Sequence, residues 1–299
     1  MTKPKVLVTR RWPAAVEARL AEAFDVTINR DDRALDAQAI RAAMGEYDAV
    51  LPTVTDRLPA EVFDGPALRT RILGNYGVGF AHIDTAAASA RGITVTNTPD
   101  VLSDCTADIA MTLMLMVARR ASEGERELRG GRWTGWRPTH LIGAKVSGAT
   151  LGIIGFGRIG QAMAARAHHG FGMKILVQNR SPVAPEILAR YGAEQVATVE
   201  ELLPRSDFVS LHCPGGAANR HLINARRLDL MKPTAFLINT ARGEVVDEAA
   251  LAQALWFGTI GGAGLDVFER EPAIHPDLKE ADNLVMLPHL GSATRETRE

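Results

Sequence analysis

Three closely spaced glycines follow an apolar strand pattern near the middle of the sequence. They are Gly155, Gly157 and Gly160, and a helical pattern that includes Arg158 and Ile159 begins among them. In this context the first glycine permits a tight turn, the second lets backbone approach a pyrophosphate, and the third lets the helix pack closely on the strand. The helix N-terminus offers unpaired N–H groups to phosphates. The pattern predicts a dinucleotide site, and the alternative is a purely structural glycine turn.

The end of the next strand pattern bears on which dinucleotide would bind. NAD sites usually carry an acidic residue there, which holds the ribose hydroxyls. Here the strand is followed by Asn179, Arg180 and Ser181, and the first carboxylate comes only at Glu186. An arginine between two hydrogen-bonding side chains suits the 2′-phosphate of NADP. We predict NADP (as NADPH) as the preferred cofactor with NAD possible, and the alternative is a solvated Arg180 with relaxed cofactor choice.

Three polar side chains downstream suit hydride transfer between a nicotinamide and a carbonyl carbon. Arg242 could polarise the carbonyl and hold an adjacent anionic group, because a planar guanidinium grips two oxygens together. His289 could supply the proton, because imidazole titrates near physiological pH. Glu271 could hydrogen-bond the other ring nitrogen and favour the protonated ring. Taken singly, these residues could instead be an ion-pair arginine, a surface carboxylate and a packing histidine.

In order and spacing, these residues resemble those of the D-isomer-specific 2-hydroxyacid dehydrogenase family, and within it the glyoxylate/hydroxypyruvate reductases. The resemblance covers essentially the whole chain. It implies that Arg242 binds substrate, that Glu271 supports the histidine and that His289 is the acid/base catalyst. The implied reaction is NAD(P)H-dependent reduction of a small 2-oxo acid, glyoxylate or hydroxypyruvate, to the 2-hydroxy acid.

The resemblance also implies further binding residues. Asp266 would face the nicotinamide carboxamide. The remaining cofactor-lining residues would be Thr106, Cys213, Pro214, Thr240, Ala241, His289 and Ser292. In the segment GNYGVGFAHID, the backbone N–H groups of Val78 and Gly79 would bind the substrate carboxylate; a plain strand-to-helix turn is the alternative.

The sequence has one further similarity to the family, in a tryptophan-containing segment, and two departures from it. WTGWRPT is similar to an arm that crosses a dimer interface, which would place Trp136 beside the partner's active site in a homodimer; a packing anchor is the alternative. GGAAN, at residues 215–219, stands where relatives commonly carry a turn containing Thr and Pro. The sequence ends at Glu299, within a helix pattern that continues in relatives.

Several other functions compete with this interpretation. Formate dehydrogenases of the same fold pair their histidine with glutamine, so Glu271 argues against them. Phosphite dehydrogenases share the three polar residues but place a lysine where Val78 stands. Another 2-hydroxyacid dehydrogenase, or a dinucleotide-sensing corepressor that does not turn over substrate, remains an alternative, since fold similarity alone does not decide function.

Composition excludes several classes of partner. The 34 basic and 35 acidic residues give a net charge of −1, so neither nucleic acid nor an anionic membrane is predicted to bind. Cys105 and Cys213 are too few for a disulfide framework or a cysteine zinc site; we interpret them as small core residues and predict no metal. The first twenty residues show no secretory pattern, and the apolar stretch 107–118 is too short to span a bilayer. A cytoplasmic location is predicted.

Two series of alternating strand and helix patterns must position these residues. Such alternation predicts an α/β fold with parallel sheets, here two Rossmann-like or flavodoxin-like lobes with an interdomain active-site cleft. We assign residues 1–98 plus 287–299 to a substrate-binding domain and 99–286 to a dinucleotide-binding domain. A single helix is predicted over 103–129, and its Leu/Met-rich first half is predicted to be buried between domains or subunits.

Overall fold

The computed structural model describes residues 2–299, which divide into two compact units. The first unit contains the chain up to Leu102 together with Thr294–Glu299, and the second contains Ser103–Ala293. Both boundaries fall later than the sequence analysis placed them. A helix begins at Ser103, and the backbone N–H groups of residues 289–291 bond to Asp266 of the second unit, which explains the shift.

The first unit is built on a five-stranded parallel sheet. Its strands are β1 (Lys5–Val8), β2 (Asp25–Ile28), β3 (Ala49–Leu51), β4 (Ile72–Gly74) and β5 (Thr94–Thr96). Its helices are α1 (Ala14–Ala23), α2 (Ala37–Glu46) and α3 (Thr85–Ala90), with a 3₁₀ turn at Ala60–Phe63. The order β2-β1-β3-β4-β5 is the flavodoxin-like order. Asp36 and Asp84 cap α2 and α3 by accepting backbone N–H groups, as polar N-cap residues do.

The second unit is built on a seven-stranded parallel sheet. It opens with helices α4 (Ser103–Ala118) and α5 (Ala121–Arg129). The strands are β6 (Thr150–Ile154), β7 (Lys174–Gln178), β8 (Ala193–Val196), β9 (Phe208–Leu211), β10 (Phe236–Asn239), β11 (Gly262–Leu265) and β12 (Leu284–Met286). The later helices are α6 (Arg158–Ala165), α7 (Pro185–Arg190), α8 (Val199–Leu202), α9 (Ala225–Leu228), α10 (Glu248–Trp256) and α11 (Pro276–Lys279). A π turn (Arg166–Gly170) extends α6, and 3₁₀ turns occupy Leu203–Arg205, Ala217–Asn219 and Gly243–Val245. The terminal helix α12 (Arg295–Arg298) belongs to the first unit.

The strand order of the second unit is that of a Rossmann fold. The sheet runs β12-β11-β10-β9-β6-β7-β8, which is the doubly wound order with a seventh strand added at one edge. All residues of the central strands β9, β10 and β11 are buried, as expected for a parallel sheet covered on both faces. The predicted fold class of two parallel α/β sheets is confirmed; the predicted cleft stays a prediction.

The single helix predicted over 103–129 is wrong, because the structure has two helices there. The helix is interrupted at Arg120, whose φ of 51° is left-handed. The Ala118 carbonyl accepts the N–H of Ala144 instead of continuing the helical ladder. Arg120 then bonds to Glu123 in the first turn of α5. The return of a distant segment ends α4, and such a contact is invisible in local sequence.

Helix α4 is apolar because it packs inside its own unit. Eight of its sixteen residues are buried, and the helix lies against β10, β11 and α6. A Cβ added to Gly264 of β11 would lie 2.9 Å from the Leu113 Cβ, so helix and sheet are in close contact. Burial of this face therefore requires no second subunit. Among residues 2–299, no helix is long and apolar enough to cross a membrane.

Two strands of the second unit were not predicted. The edge strand β8 has the sequence AEQV, which lacks the apolar run of a buried strand. Strand β12 has only three residues, and it lies immediately before the segment LPHLGSAT. It pairs with β11 and directs His289 toward the same edge of the sheet as the other site residues.

Candidate active site

The predicted site residues of the second unit lie at the carboxyl edge of one sheet. Six adjacent strands contribute them. His289 and Ser292 follow β12, Asp266 and Glu271 follow β11, Thr240 to Arg242 follow β10, Cys213 and Pro214 follow β9, the glycine loop 155–160 follows β6, and Asn179 to Ser181 follow β7. Doubly wound sheets bind ligands at this edge. The fold therefore brings together residues that are far apart in sequence.

His289 and Glu271 form a hydrogen-bonded pair. The His289 Nδ1 lies 2.8 Å from the Glu271 Oε2, and the other carboxylate oxygen accepts the Phe268 N–H at 3.0 Å. Burial alone would raise the pKa of Glu271, but the hydrogen bond and charge of His289, assisted by Phe268 and Arg242, hold that pKa below its ordinary value. Glu271 is therefore a carboxylate at neutral pH, and it orients the ring so that Nε2 is left for chemistry.

Asp266 fixes the turn that carries His289. The backbone φ of His289 is 56°, a left-handed conformation that a non-glycine residue rarely adopts. The Asp266 carboxylate accepts the N–H of Leu290 at 2.6 Å and that of Gly291 at 2.7 Å, and its carbonyl accepts the His289 N–H at 2.9 Å. Burial raises the pKa of Asp266 although the two N–H groups favour its charged form. The predicted role of Asp266 toward a nicotinamide stays a prediction.

Arg242 is a largely buried cation beside two carboxylates. Its Nη1 donates to the Ala241 carbonyl at 2.7 Å. Burial lowers the pKa of Arg242, while the negative charges of Glu271 and Glu244 act in the opposite direction. Asn239 holds the backbone around it, accepting the Ala241 N–H at 3.0 Å and donating to the Arg242 carbonyl at 2.9 Å. The sequence analysis missed Asn239; its position three residues before Arg242, at the end of a strand, was the available signal.

The glycine loop forms a cradle with one open position. Gly155 has a φ of 91°, and a Cβ there would lie 2.6 Å from the Cys213 N. A Cβ on Gly160 would lie 2.3 Å from the Gly155 carbonyl oxygen, so the helix packs tightly on the turn. A Cβ on Gly157 would meet no atom within 4 Å. Space is therefore left beside Gly157, where a phosphate could approach the backbone, and this fits a dinucleotide.

Other polar atoms at this edge are also consistent with a ligand. The Thr240 Oγ1 is buried and, among the described residues, has no hydrogen-bond partner. The Thr106 hydroxyl donates to the Gly291 carbonyl at 3.2 Å, which ties the start of α4 to the histidine turn. Ser292 lies in that same turn. A buried hydroxyl without a partner is costly unless a water or a ligand bonds to it.

The end of β7 presents a free cation. Asn179 accepts the Phe156 N–H of the glycine loop at 3.1 Å and donates to the Ser181 carbonyl at 3.0 Å. Arg180 is exposed, and within residues 2–299 it forms no ion pair. Its guanidinium is available to an anionic ligand.

The neighbouring His212 and Cys213 are half-buried residues with shifted pKa values. The His212 Nε2 lies 2.8 Å from the Ser210 hydroxyl, and burial lowers the pKa of His212 to about 4. Burial raises the pKa of Cys213 to about 11, so its thiol is not a nucleophile near neutral pH. Among residues 2–299, no group of three or more His, Cys, Asp or Glu side chains is arranged to hold a metal.

Within the first unit, the Val78–Gly79 backbone presents two free donors. The Asn97 side chain donates to the Val78 carbonyl at 2.9 Å, and the Asn75 side chain donates to the Gly77 and Gly79 carbonyls at 3.0 and 3.1 Å. The N–H groups of Val78 and Gly79 have no acceptor within the described chain. Two adjacent N–H groups held by such bonds can receive an anion.

Within residues 2–299, Trp136 is not part of any packed hydrophobic cluster. It lies in the loop that follows α5, and its side chain is 82% exposed. Its predicted position beside a partner's active site stays a prediction.

Comparison with known proteins places these features among oxidoreductases. Residues 111–291 match the family model described as D-isomer specific 2-hydroxyacid dehydrogenase, NAD binding domain. A glyoxylate reductase of Thermococcus onnurineus is 46% identical over 301 residues, which cover 99% of this chain and 89% of the relative.

Two solved structures are also similar to this chain. One is an NADPH-dependent glyoxylate/hydroxypyruvate reductase from Sinorhizobium meliloti in complex with NADP and malonate, with a TM-score of 0.87, 37% identity and coverage of 99% and 89% of the two chains. The other is a glyoxylate reductase from Paecilomyes thermophila, with a TM-score of 0.86, 32% identity and coverage of 100% and 92%.

Proposed function

Because the chain belongs to the D-isomer specific 2-hydroxyacid dehydrogenase family, we propose that it reduces glyoxylate or hydroxypyruvate to the corresponding 2-hydroxy acid. The observation that carries this proposal is the His289–Glu271 pair at 2.8 Å, on the same sheet edge as Arg242 and the glycine cradle. A proton donor, a cation for an acidic substrate and a place for a dinucleotide are the parts that this reaction needs.

Arg242 is proposed to bind the substrate. Its guanidinium can hold one carboxylate oxygen and the 2-oxo oxygen together, which orients the carbonyl and stabilises negative charge that develops on it. Burial strengthens this attraction because little water screens it. When bound, the reduced nicotinamide would supply the hydride to C2.

His289 is proposed to protonate the new alkoxide. Glu271 holds Nδ1 and stabilises the positive ring, so that the proton on Nε2 can pass to the substrate oxygen. Asp266 holds the left-handed turn that sets the direction of the ring. Positioning of this kind lowers the barrier because the proton donor is in place before the reaction begins.

Val78 and Gly79 are proposed to bind the substrate carboxylate. Their N–H groups have no acceptor within residues 2–299, and asparagine side chains hold the carbonyls on either side. The relatives named glyoxylate reductase and the malonate held by the Sinorhizobium meliloti reductase also support a small carboxylic acid as ligand.

NADPH is proposed as the preferred cofactor, with NADH also accepted. Thr240 and the open space at Gly157 are proposed to lie against the dinucleotide, with Cys213 and Pro214 nearby. Arg180 is exposed and forms no ion pair within residues 2–299, which supports a 2′-phosphate beside β7, and the NADP complex of the Sinorhizobium meliloti reductase is consistent with it.

Arg180→Ala is expected to raise the KM for NADPH about ten- to hundredfold and to change the KM for NADH little. A charge-assisted hydrogen bond to the phosphate of about 1.5–3 kcal/mol would be lost, and NADH lacks that phosphate. Initial rates with each cofactor check this, with the exposed Arg190→Ala as the matched control. A wild-type enzyme that prefers NADH would contradict the NADP assignment and leave the dehydrogenase assignment intact.

Glu271→Gln is expected to move the fall of reduction rate with rising pH to a lower pH. The carboxylate is charged at neutral pH, because the pKa of Glu271 is held low, and a neutral amide stabilises the positive His289 ring less. The pH profile of kcat/KM measures this, and a profile identical to wild type would remove Glu271 from the role.

We also propose that the protein forms a homodimer and is located in the cytoplasm. The exposed Trp136 and Trp133 on the loop after α5 support an interface that a single chain leaves uncovered. Trp136 would then lie near the partner's substrate.

A panel of initial rates tests the proposed activity. Glyoxylate, hydroxypyruvate, pyruvate and phenylpyruvate are each offered with NADPH and with NADH, and phosphite is tested with the oxidised cofactors. We expect turnover to be fastest with glyoxylate or hydroxypyruvate. Fastest turnover of another acid or of phosphite would favour a different dehydrogenase, and dinucleotide binding without any turnover would favour a sensor.

A further inference from the structure

The segment that follows β9 is anchored at two points on one residue, Glu244. The Glu244 Oε1 accepts the Gly216 N–H at 2.5 Å, and its backbone carbonyl accepts the His221 N–H at 2.8 Å. Within the segment, the Asn219 side chain donates to the Pro214 carbonyl at 2.8 Å. Gly216 has a φ of 98°, which favours glycine. The unusual GGAAN sequence therefore forms a closed loop held by a carboxylate.

This loop lies directly against the Arg242 side chain. A Cβ added to Gly215 would lie 3.0 Å from the Arg242 Cγ and 2.5 Å from the Glu244 Oε1. No side chain fits between them, so the Gly215 backbone packs on the aliphatic part of the arginine. Release of Gly216 from Glu244 would remove one wall of the Arg242 site.

Glu244 also places a negative charge beside the cation. The Glu271 carboxylate is hydrogen-bonded to His289. The Glu244 carboxylate, in contrast, has only the neutral Gly216 N–H as its side-chain hydrogen-bond partner in the described chain. The Glu244 carboxylate and an anionic ligand bound to Arg242 carry like charges, and these repel each other across a partly buried site. Glu244 therefore reduces the net attraction of the Arg242 site for an anionic ligand.

We propose that Glu244 is a positioning residue with two opposed effects on anion binding at Arg242. Its hydrogen bond holds the Gly215–Gly216 wall in place, which favours binding, and its charge weakens the hold of Arg242 on the substrate carboxylate. The inference rests on the proposed function for the identity of the anion. Together, the two effects keep Arg242 in place without making it bind the acidic product too tightly.

Two variants separate the effects. Glu244→Gln keeps an oxygen that accepts the Gly216 N–H and removes the charge, so the KM for glyoxylate is expected to fall about two- to fivefold. Glu244→Ala removes both, so this KM is expected to rise above wild type. The KM for glyoxylate is therefore expected to be lowest in Glu244→Gln, intermediate in the wild type and highest in Glu244→Ala. A purely structural role would leave the glutamine variant equal to wild type or raise its KM.

Dissociation constants of malonate, measured by calorimetry on the NADPH-loaded protein, give the same order without turnover. Glu280→Gln is the matched control, since Glu280 is exposed and forms no side-chain bond in the described chain. A glutamine variant that binds malonate no tighter than wild type, or an alanine variant that binds it no weaker, would overturn the inference. The predicted malonate order without reduction of any 2-oxo acid would instead refute the proposed function and leave the role of Glu244 standing.

Discussion

His289→Asn is expected to lower kcat for glyoxylate reduction about 10²–10⁴-fold, which is the usual contribution of general acid–base catalysis. Asparagine can still donate a hydrogen bond to Glu271, so the turn and its partner are retained. It cannot release a proton to the alkoxide. The KM for the dinucleotide should change little, because the glycine loop and the end of β7 are untouched.

Steady-state rates and fluorescence titration with NADPH together check this result. The matched control is His169→Asn, since His169 is exposed on the π turn after α6. A His289→Asn variant with the wild-type rate would exclude His289 as the proton donor. A variant that also fails to bind the dinucleotide would show that His289 is needed to hold the site rather than to donate a proton.

Arg242→Gln is expected to lower kcat/KM for glyoxylate about 10²–10⁴-fold. The variant would lose two charge-assisted hydrogen bonds to the substrate, one to its carboxylate and one to its 2-oxo oxygen. Each is worth about 1.5–3 kcal/mol. Arg242→Lys should recover only part of the activity, because a lysine keeps the charge but not the planar pair of donors. The affinity for NADPH should stay near wild type.

The control for Arg242 is Arg226→Gln, which removes an exposed arginine paired with Glu200 on α8. Circular dichroism and NADPH titration distinguish a damaged fold from a lost substrate contact. Glyoxylate kinetics that are unchanged in Arg242→Gln would place the substrate carboxylate elsewhere.

The sequence was most informative where chemistry and spacing coincide. The glycine loop and the Arg242, Glu271 and His289 set are each recognisable from residue type and order, and the family resemblance is confirmed. Strand–helix alternation predicted the two parallel sheets, because buried parallel strands are continuous apolar runs.

The missed features depend on contacts between distant segments. The break after α4 requires Ala144 to bond to Ala118, and the turn at His289 requires Asp266 to accept two N–H groups. The anchoring of Gly216 by Glu244 is of the same kind. Local patterns do not carry such pairings, since each partner alone is an ordinary polar or glycine residue.

Isotope transfer is the most direct test of hydride delivery to a 2-oxo acid at this site. Purified protein is incubated with hydroxypyruvate and NADPH carrying deuterium at the transferable position of the nicotinamide, and the product is analysed for label and configuration. The proposed mechanism predicts D-glycerate labelled at C2, at a rate that His289→Asn lowers by about 10²–10⁴-fold. Absence of label at C2, or labelled product formed equally fast by the variant, would contradict it.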